Sequence, residues 1–469
     1  MATGLIIDNS VSESTLPPPT NSGIAAPRLK RVLTLWDLIF YGIVLIQPVA
    51  PIPLFGVVQA RSRGHIVDTI LLAMLAMMIT AFSYGRMAAL YPAAGSAYTY
   101  VGRGLNPHLG FLAGWAMFLD YLLQPILNGV WVAVAIHRLL PQVPYAVGAF
   151  LFVGLVVGLN LVGIRATARA NRVLLGFMFL VIGAFIILAV RYVFAQSGWG
   201  GIFSTEPFYN PKTFSFPVIG AATSLAALTY IGFDGVTTLA EDVVNPKRNV
   251  LLAAVLVCLF TGVFGGLEVY LGQRVWPDYG NFPNLETAFW DVCRRVGGVV
   301  LFGSMTAVTL LACFGSALTG TLGAARLLFG MGRDNVLPRR FFSHLHPTRN
   351  TPSYNIWMIG LLAYSATLLI AYDQAAELLN FGAFLAFMGV NLATIQQCYF
   401  VGRPGHRRRW LTDLALPLFG FLFCLWIWWG LQPVAKIVGG IWFAIGLTYA
   451  AVKTRGFRKR PVMIDFSEA

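Results

Sequence analysis

The chain has 469 residues, 57% hydrophobic and only 11% charged, with a mean hydropathy of +0.70 and a formal net charge of +14. Soluble domains carry about 25% charged residues, so a cytosolic enzyme and a secreted module are excluded and a polytopic α-helical membrane protein remains. Twelve crossings of roughly 20 residues would take about 240, leaving short connections.

The first 27 residues are polar and rich in Pro, Ser and Thr. Residues 1–30 therefore read as a disordered cytoplasmic tail, with no cleavable signal peptide. Apolar stretches punctuated by Gly, Pro and charge then predict twelve spans. They lie near 36–59, 66–90, 109–138, 143–163, 173–195, 215–241, 249–274, 297–330, 353–372, 376–400, 411–432 and 436–453. Those at 109–138 and 297–330 exceed a straight crossing and are expected to tilt or to run past the bilayer. A second cytoplasmic tail is expected at 456–469.

Charge orients the spans. Of the 33 Lys and Arg, 24 fall on the side of the two termini and 9 on the other, which predicts both termini in the cytoplasm of a plasma-membrane protein. The basic excess is then a topology signal, and nucleic acid is not an expected partner. Cys258, Cys313, Cys398 and Cys424 fall in apolar runs and Cys293 near an outer loop. No metal-ligand spacing occurs, so neither a disulfide, a metal nor a cofactor is expected. A membrane enzyme is disfavoured because no H-E-x-x-H occurs and the six histidines are scattered.

Two spans are interrupted. The first carries Gln47-Pro48-Val49-Ala50-Pro51-Ile52-Pro53, in which three prolines remove three amide donors at about 3 kcal/mol each. The sixth carries Gly232-Phe233-Asp234-Gly235, two glycines around a carboxylate at mid-membrane depth. Unpaired backbone is tolerated there only where it is buried in protein or lines a cavity. Breaks in spans one and six fit two inverted five-span repeats around a central transport site, over 31–200 and 210–402, with peripheral spans in 408–455.

The residues also carry a family resemblance over about 30–455. Its markers are Gly95-Ser96-Ala97-Tyr98-Thr99-Tyr100, Asn106-Pro107-His108-Leu109-Gly110-Phe111, Leu119-Asp120-Tyr121-Leu122, the string from Gly232 to Glu241, and Met331-Gly332-Arg333-Asp334-Asn335-Val336-Leu337-Pro338. The sequence resembles the amino acid–polyamine–organocation transporter superfamily, and within it the putrescine importer group. The resemblance implies an all-α leucine-transporter-type fold of ten core helices plus two peripheral ones, working by alternating access on a polyamine or amino acid. It also implies that Tyr121 faces the site, which leaves Asp120, about 100° away on the helix, as a packing partner hydrogen-bonded to another helix.

Candidate substrate contacts are Gln47, Pro48, Val49, Ala50, Tyr121, Phe233, Asp234, Thr237 and Glu241. Asp234 has two compatible readings: a cap where span six resumes, or a partner for a substrate ammonium or the coupling proton. Glu241 lies two turns on, about 10 Å along a helix, and could give a diamine its second pole or form an inner gate. Tyr41, Tyr230, Phe233 and Tyr121 could make cation–π contacts. Relatives of this group often place an acid in the first break; this chain has none, and an α-amino acid would instead dock its carboxylate on exposed amides. Asp37 is expected to cap span one or to meet an Arg, and Glu268 to snorkel or pair with Arg274. Proton coupling through Asp234 or Glu241 is the leading expectation. A sodium site using span-one carbonyls with Ser316 and Thr319 is the alternative.

Overall fold

The computed structural model describes residues 33–91, 96–162, 168–240, 243–333, 337–346, 349, 351–402 and 408–458. The chain starts from a capping box: the Thr34 amide donates to Asp37 Oδ2 at 2.9 Å and the Asp37 amide to the Thr34 hydroxyl at 3.4 Å. Asp37 therefore caps, one of its two expected roles. Helix α1 (Leu35–Ile46) halts before the prolines and α2 (Phe55–Arg61) resumes after them. Next come α3 (Ile66–Leu90), a short α4 (Ser96–Gly104), α5 (Pro107–Leu139), α6 (Tyr145–Val162) and α7 (Ala168–Ile202). Asn106 caps α5 by accepting from the His108 amide at 2.8 Å, with Pro107 in the first turn where its missing donor costs nothing.

The second half repeats the opening pattern. Helix α8 (Phe216–Ala226) gives way to 3₁₀ turns at Ala227–Tyr230 and Phe233–Leu239, and α9 (Pro246–Val275) and α10 (Ala288–Arg333) follow. Helix α10 is kinked at Gly298, so its crossing part begins where the sequence places span eight. Then come α11 (Arg339–Phe342), α12 (Ser353–Thr367), α13 (Tyr372–Ile395) with a π turn over Gln396–Val401, a π turn over Trp410–Ala415, α14 (Leu416–Trp429) and α15 (Pro433–Lys453). Among the described residues there is no strand, and ten helices are long and apolar enough to cross a membrane. The remaining two of the twelve expected spans are the broken α1–α2 pair and the 15-residue α12. Leu180, Ile187, Leu361 and Ile437 point outward and exposed, as side chains covered by lipid would.

Small residues let the helices approach, since lipid supplies no hydrophobic drive for their association. A Cβ added at Gly85 of α3 would lie 2.4 Å from the Leu251 Cα of α9. Alanine favours a helix over glycine by about 1 kcal/mol. Gly85→Ala is nevertheless expected to lower the unfolding temperature in detergent, because a backbone atom blocks it and overpacking costs about 3 kcal/mol. A rise would mean that the two helices part freely.

Glu268 departs from expectation. It is buried, with neither carboxylate oxygen hydrogen-bonded among the described residues. Arg274 pairs instead with Glu206 at 2.9 Å, because it sits six residues, or nearly two turns, further along α9 and points to the loop after α7.

Candidate functional site

The two interruptions meet. At the first, Pro48, Pro51 and Pro53 cannot donate to the carbonyls four residues back, so the amides of Ala50 and Ile52 turn onto Gln47 and Val49, each at 3.0 Å. Gln47 takes φ +70°, a left-handed conformation that costs a side-chain-bearing residue about 1–2 kcal/mol. Its side chain anchors the turn, Nε2 donating to the Ala312 carbonyl of α10 at 2.7 Å. At the second, Gly232 adopts φ +115°, and an added Cβ would meet the Leu45 carbonyl at 3.7 Å. The glycine thus supplies the turn, and the end of α1 lies at van der Waals distance from it. On the basic face the same spans are tied by the Val244 amide donating to the Leu33 carbonyl at 2.9 Å.

Between the breaks lies a cavity of about 540 Å³, bounded also by α5 and α10. Of the expected contacts, Gln47, Val49, Ala50, Tyr121 and Asp234 line it. The carboxylate of Asp234 accepts from the Ser96 hydroxyl at 3.5 Å, while the Gly235 amide donates to the Gly232 carbonyl at 3.0 Å. Asp234 is therefore a cavity wall at the resumed turn. Pro48 is buried and does not line the cavity. Thr237 donates to the Asp234 carbonyl at 2.6 Å and fixes the 3₁₀ turn. Phe233 is fully buried against Phe387 and Tyr84, at ring separations of 5.1 and 5.4 Å, beside the cavity rather than in it. Tyr230 is likewise structural, its hydroxyl donating to the Ile70 carbonyl at 2.8 Å. Glu241 lies outside the described residues.

Ser316 and Thr319 line the cavity with their hydroxyls already engaged. Ser316 donates to Gln124 Oε1 at 2.7 Å and accepts from Asn128 Nδ2 at 3.1 Å. Thr319 donates back into its own helix, to the carbonyls of Gly315 and Ser316 at 3.0 Å. Asp120 overturns the packing role expected for it. It lines the cavity beside Tyr121, and its Oδ1 has no hydrogen-bond partner among the described residues. The 100° between neighbours keeps one of them away from a narrow seam, but α5 presents a broad face here. Lining residues toward the basic face, Tyr41 and Thr319, are exposed, whereas Val49, Cys313 and Tyr372 toward the opposite face are buried. The cavity therefore opens to the basic face.

A discontinuous helix pair around a mid-depth cavity is a transporter's architecture. The amino acid permease family profile matches residues 33–452. The low-affinity putrescine importer PlaP of Escherichia coli K12 is 32% identical over 92% of this chain and 95% of its own. The chain belongs to the amino acid permease family. Other relatives include the branched-chain amino acid permease BcaP of Lactococcus lactis, 28% identical over 92% of this chain and 96% of its own. The methylthioribose transporter of Bacillus subtilis is 27% identical, over 89% and 92%.

Sequence reasoning missed part of the permease's cavity wall. Asp120, Gln124 and Asn128 all line it and fall at successive four-residue steps on α5. Three polar side chains on one stripe of an apolar span were a legible signal. Tyr98 and Tyr372 also line the cavity and carried none.

Proposed function

We propose that the permease is a secondary transporter importing a small cationic amine, putrescine or a related polyamine, across the plasma membrane. One observation carries this reading: Asp120 and Asp234, from different helices, line a single cavity with no Lys, Arg or His in its wall among the described residues. A buried carboxylate needs a counter-charge, and a diamine brings two. Tyr41, Tyr98 and Tyr121 in the same wall supply aromatic rings, which attract an ammonium. An α-amino acid would need a cation or free amides for its carboxylate, and Asp234 stands in the cavity wall at the resumed turn, where its charge would repel that carboxylate. With both termini cytoplasmic, as the 24 to 9 division of basic residues indicates, the cavity opens inward.

Alternating access would come from two repeats, 31–200 and 210–402. In support, each opens on a helix of similar length, Leu35–Ile46 and Phe216–Ala226, that breaks near the same cavity. Coupling to protons is favoured because a cavity carboxylate such as Asp234 can take one when no ammonium is bound, while the Ser316 oxygen already accepts from Asn128 at 3.1 Å. Uptake into proteoliposomes is therefore expected to follow an imposed pH gradient and to be unchanged when sodium is replaced by choline. Sodium dependence abolished by Ser316→Ala would instead establish the sodium site.

The deciding experiment is a competition panel on reconstituted protein with putrescine, spermidine, and cationic and neutral amino acids. Putrescine should displace labelled putrescine most strongly. If only neutral amino acids compete, the protein is an amino acid permease or exchanger on this fold.

A further inference from the structure

A second cavity, of about 410 Å³, lies on the basic face, remote from the central one. The end of α3, the start of α9 and the π turns on either side of 403–407 enclose it. Three cations line it: Arg86, Lys247 and Arg409. The one carboxylate in its wall among the described residues, Asp413, is fully buried and accepts from Arg86 Nη1 at 2.5 Å and from the Arg409 amide at 2.8 Å. Arg86 is thus balanced. The side chains of Lys247 and Arg409 form no salt bridge among the described residues, and both residues are exposed. Among the described residues, the concavity therefore holds two uncompensated positive charges.

Its surroundings narrow the ligand. Phe82, Leu90 and Leu251 form an apolar part of the wall. The π turns that carry Arg409 also present Phe400, Trp410 and Leu411 outward, at 59%, 65% and 65% exposure. Tryptophan beside basic residues marks the headgroup level of a bilayer. A phosphate between Lys247 and Arg409, with an apolar body lying along those side chains, satisfies both halves of the pattern. We propose that this cavity binds the phosphate diester of an anionic phospholipid on the basic face of the membrane.

The test uses the whole purified permease in neutral detergent, with native mass spectrometry and thermal unfolding as readouts. The probes are phosphatidylglycerol, phosphatidylcholine and inorganic phosphate. Wild-type protein should bind phosphatidylglycerol and be stabilised by it, with little effect from phosphatidylcholine. Lys247→Ala/Arg409→Ala should weaken that binding about thirtyfold, the effect of two cations at a membrane surface. Arg339→Ala/Arg340→Ala, which removes two exposed cations elsewhere on the basic face, should bind as wild type does. Equal binding by the Lys247/Arg409 variant, or an equal loss in the control, overturns the site. Should inorganic phosphate alone stabilise the protein as strongly as phosphatidylglycerol, a soluble phosphate is the ligand and the lipid assignment fails. Both alanine variants remove exposed side chains, and unliganded unfolding temperatures near the wild-type value verify folding.

Discussion

Asp234→Asn is expected to lower putrescine uptake by about two orders of magnitude while the protein remains folded. Asparagine has nearly the shape of aspartate and keeps an acceptor for the Ser96 hydroxyl, so the charge is what is lost. Removing one partner of a buried, hydrogen-bonded ion pair costs roughly 3 kcal/mol, which is about a hundredfold in affinity. Asp120→Asn should act differently. Its carboxylate is offered to the second ammonium, so the variant should lose the preference for putrescine over butylamine and transport both at a similar low rate. Radiolabelled uptake into proteoliposomes, with equal protein incorporation, measures both. Wild-type putrescine uptake by Asp234→Asn, or a retained diamine preference in Asp120→Asn, removes the two-carboxylate site.

Arg61→Ala is expected to open the face opposite the basic one. Arg61 ends α2 and reaches α13, where it contacts Asp373 at 2.5 Å and also pairs with Glu377. Glu377 is 1% exposed, and its other oxygen accepts from the Gln432 amide at 2.5 Å, just ahead of α15. One guanidinium thus holds three segments together over the buried end of the cavity. Deleting it leaves Glu377 without its cation at a cost of roughly 3 kcal/mol, borne only by the state closed on that side. The ratio of the two states should shift by about a hundredfold. Cys313 lines the cavity and reports the shift directly. With the other four cysteines replaced by alanine, Arg61→Ala should let a membrane-impermeant thiol reagent modify Cys313 from the non-basic side, where the parent resists. Arg61→Lys should fall between them. Unchanged labelling would show that the seal lies elsewhere.

Much of this was legible along the chain. Span limits followed from apolar run length, down to the start of span eight, which Gly298 separates from the helix before it. The interruptions followed from Pro48, Pro51 and Pro53 and from Gly232 and Gly235, whose backbone effects need no tertiary partner. Side-chain roles fared less evenly. Phe233 and Asp234 are neighbours at one break, yet one is buried among aromatics and the other faces the cavity. Glu268 was expected to find Arg274 because both lie on one helix, but that arginine turns to Glu206 in a different loop. The latch of Arg61 on Asp373 and Glu377 joins residues more than 300 positions apart and left no mark in either segment.

By itself the sequence determined the membrane class, the crossings, the basic face and the two weak points in the helices. Each of these is a sum over neighbouring residues or a consequence of a single residue's backbone chemistry. Only the tertiary structure decided that the breaks abut at Leu45 and Gly232, that Asp120 joins Asp234 in one cavity, and that Ser316 and Thr319 are already engaged. Those facts depend on how each helix is rotated about its own axis, which is set by contacts such as Gly85 on Leu251 between segments far apart in the chain.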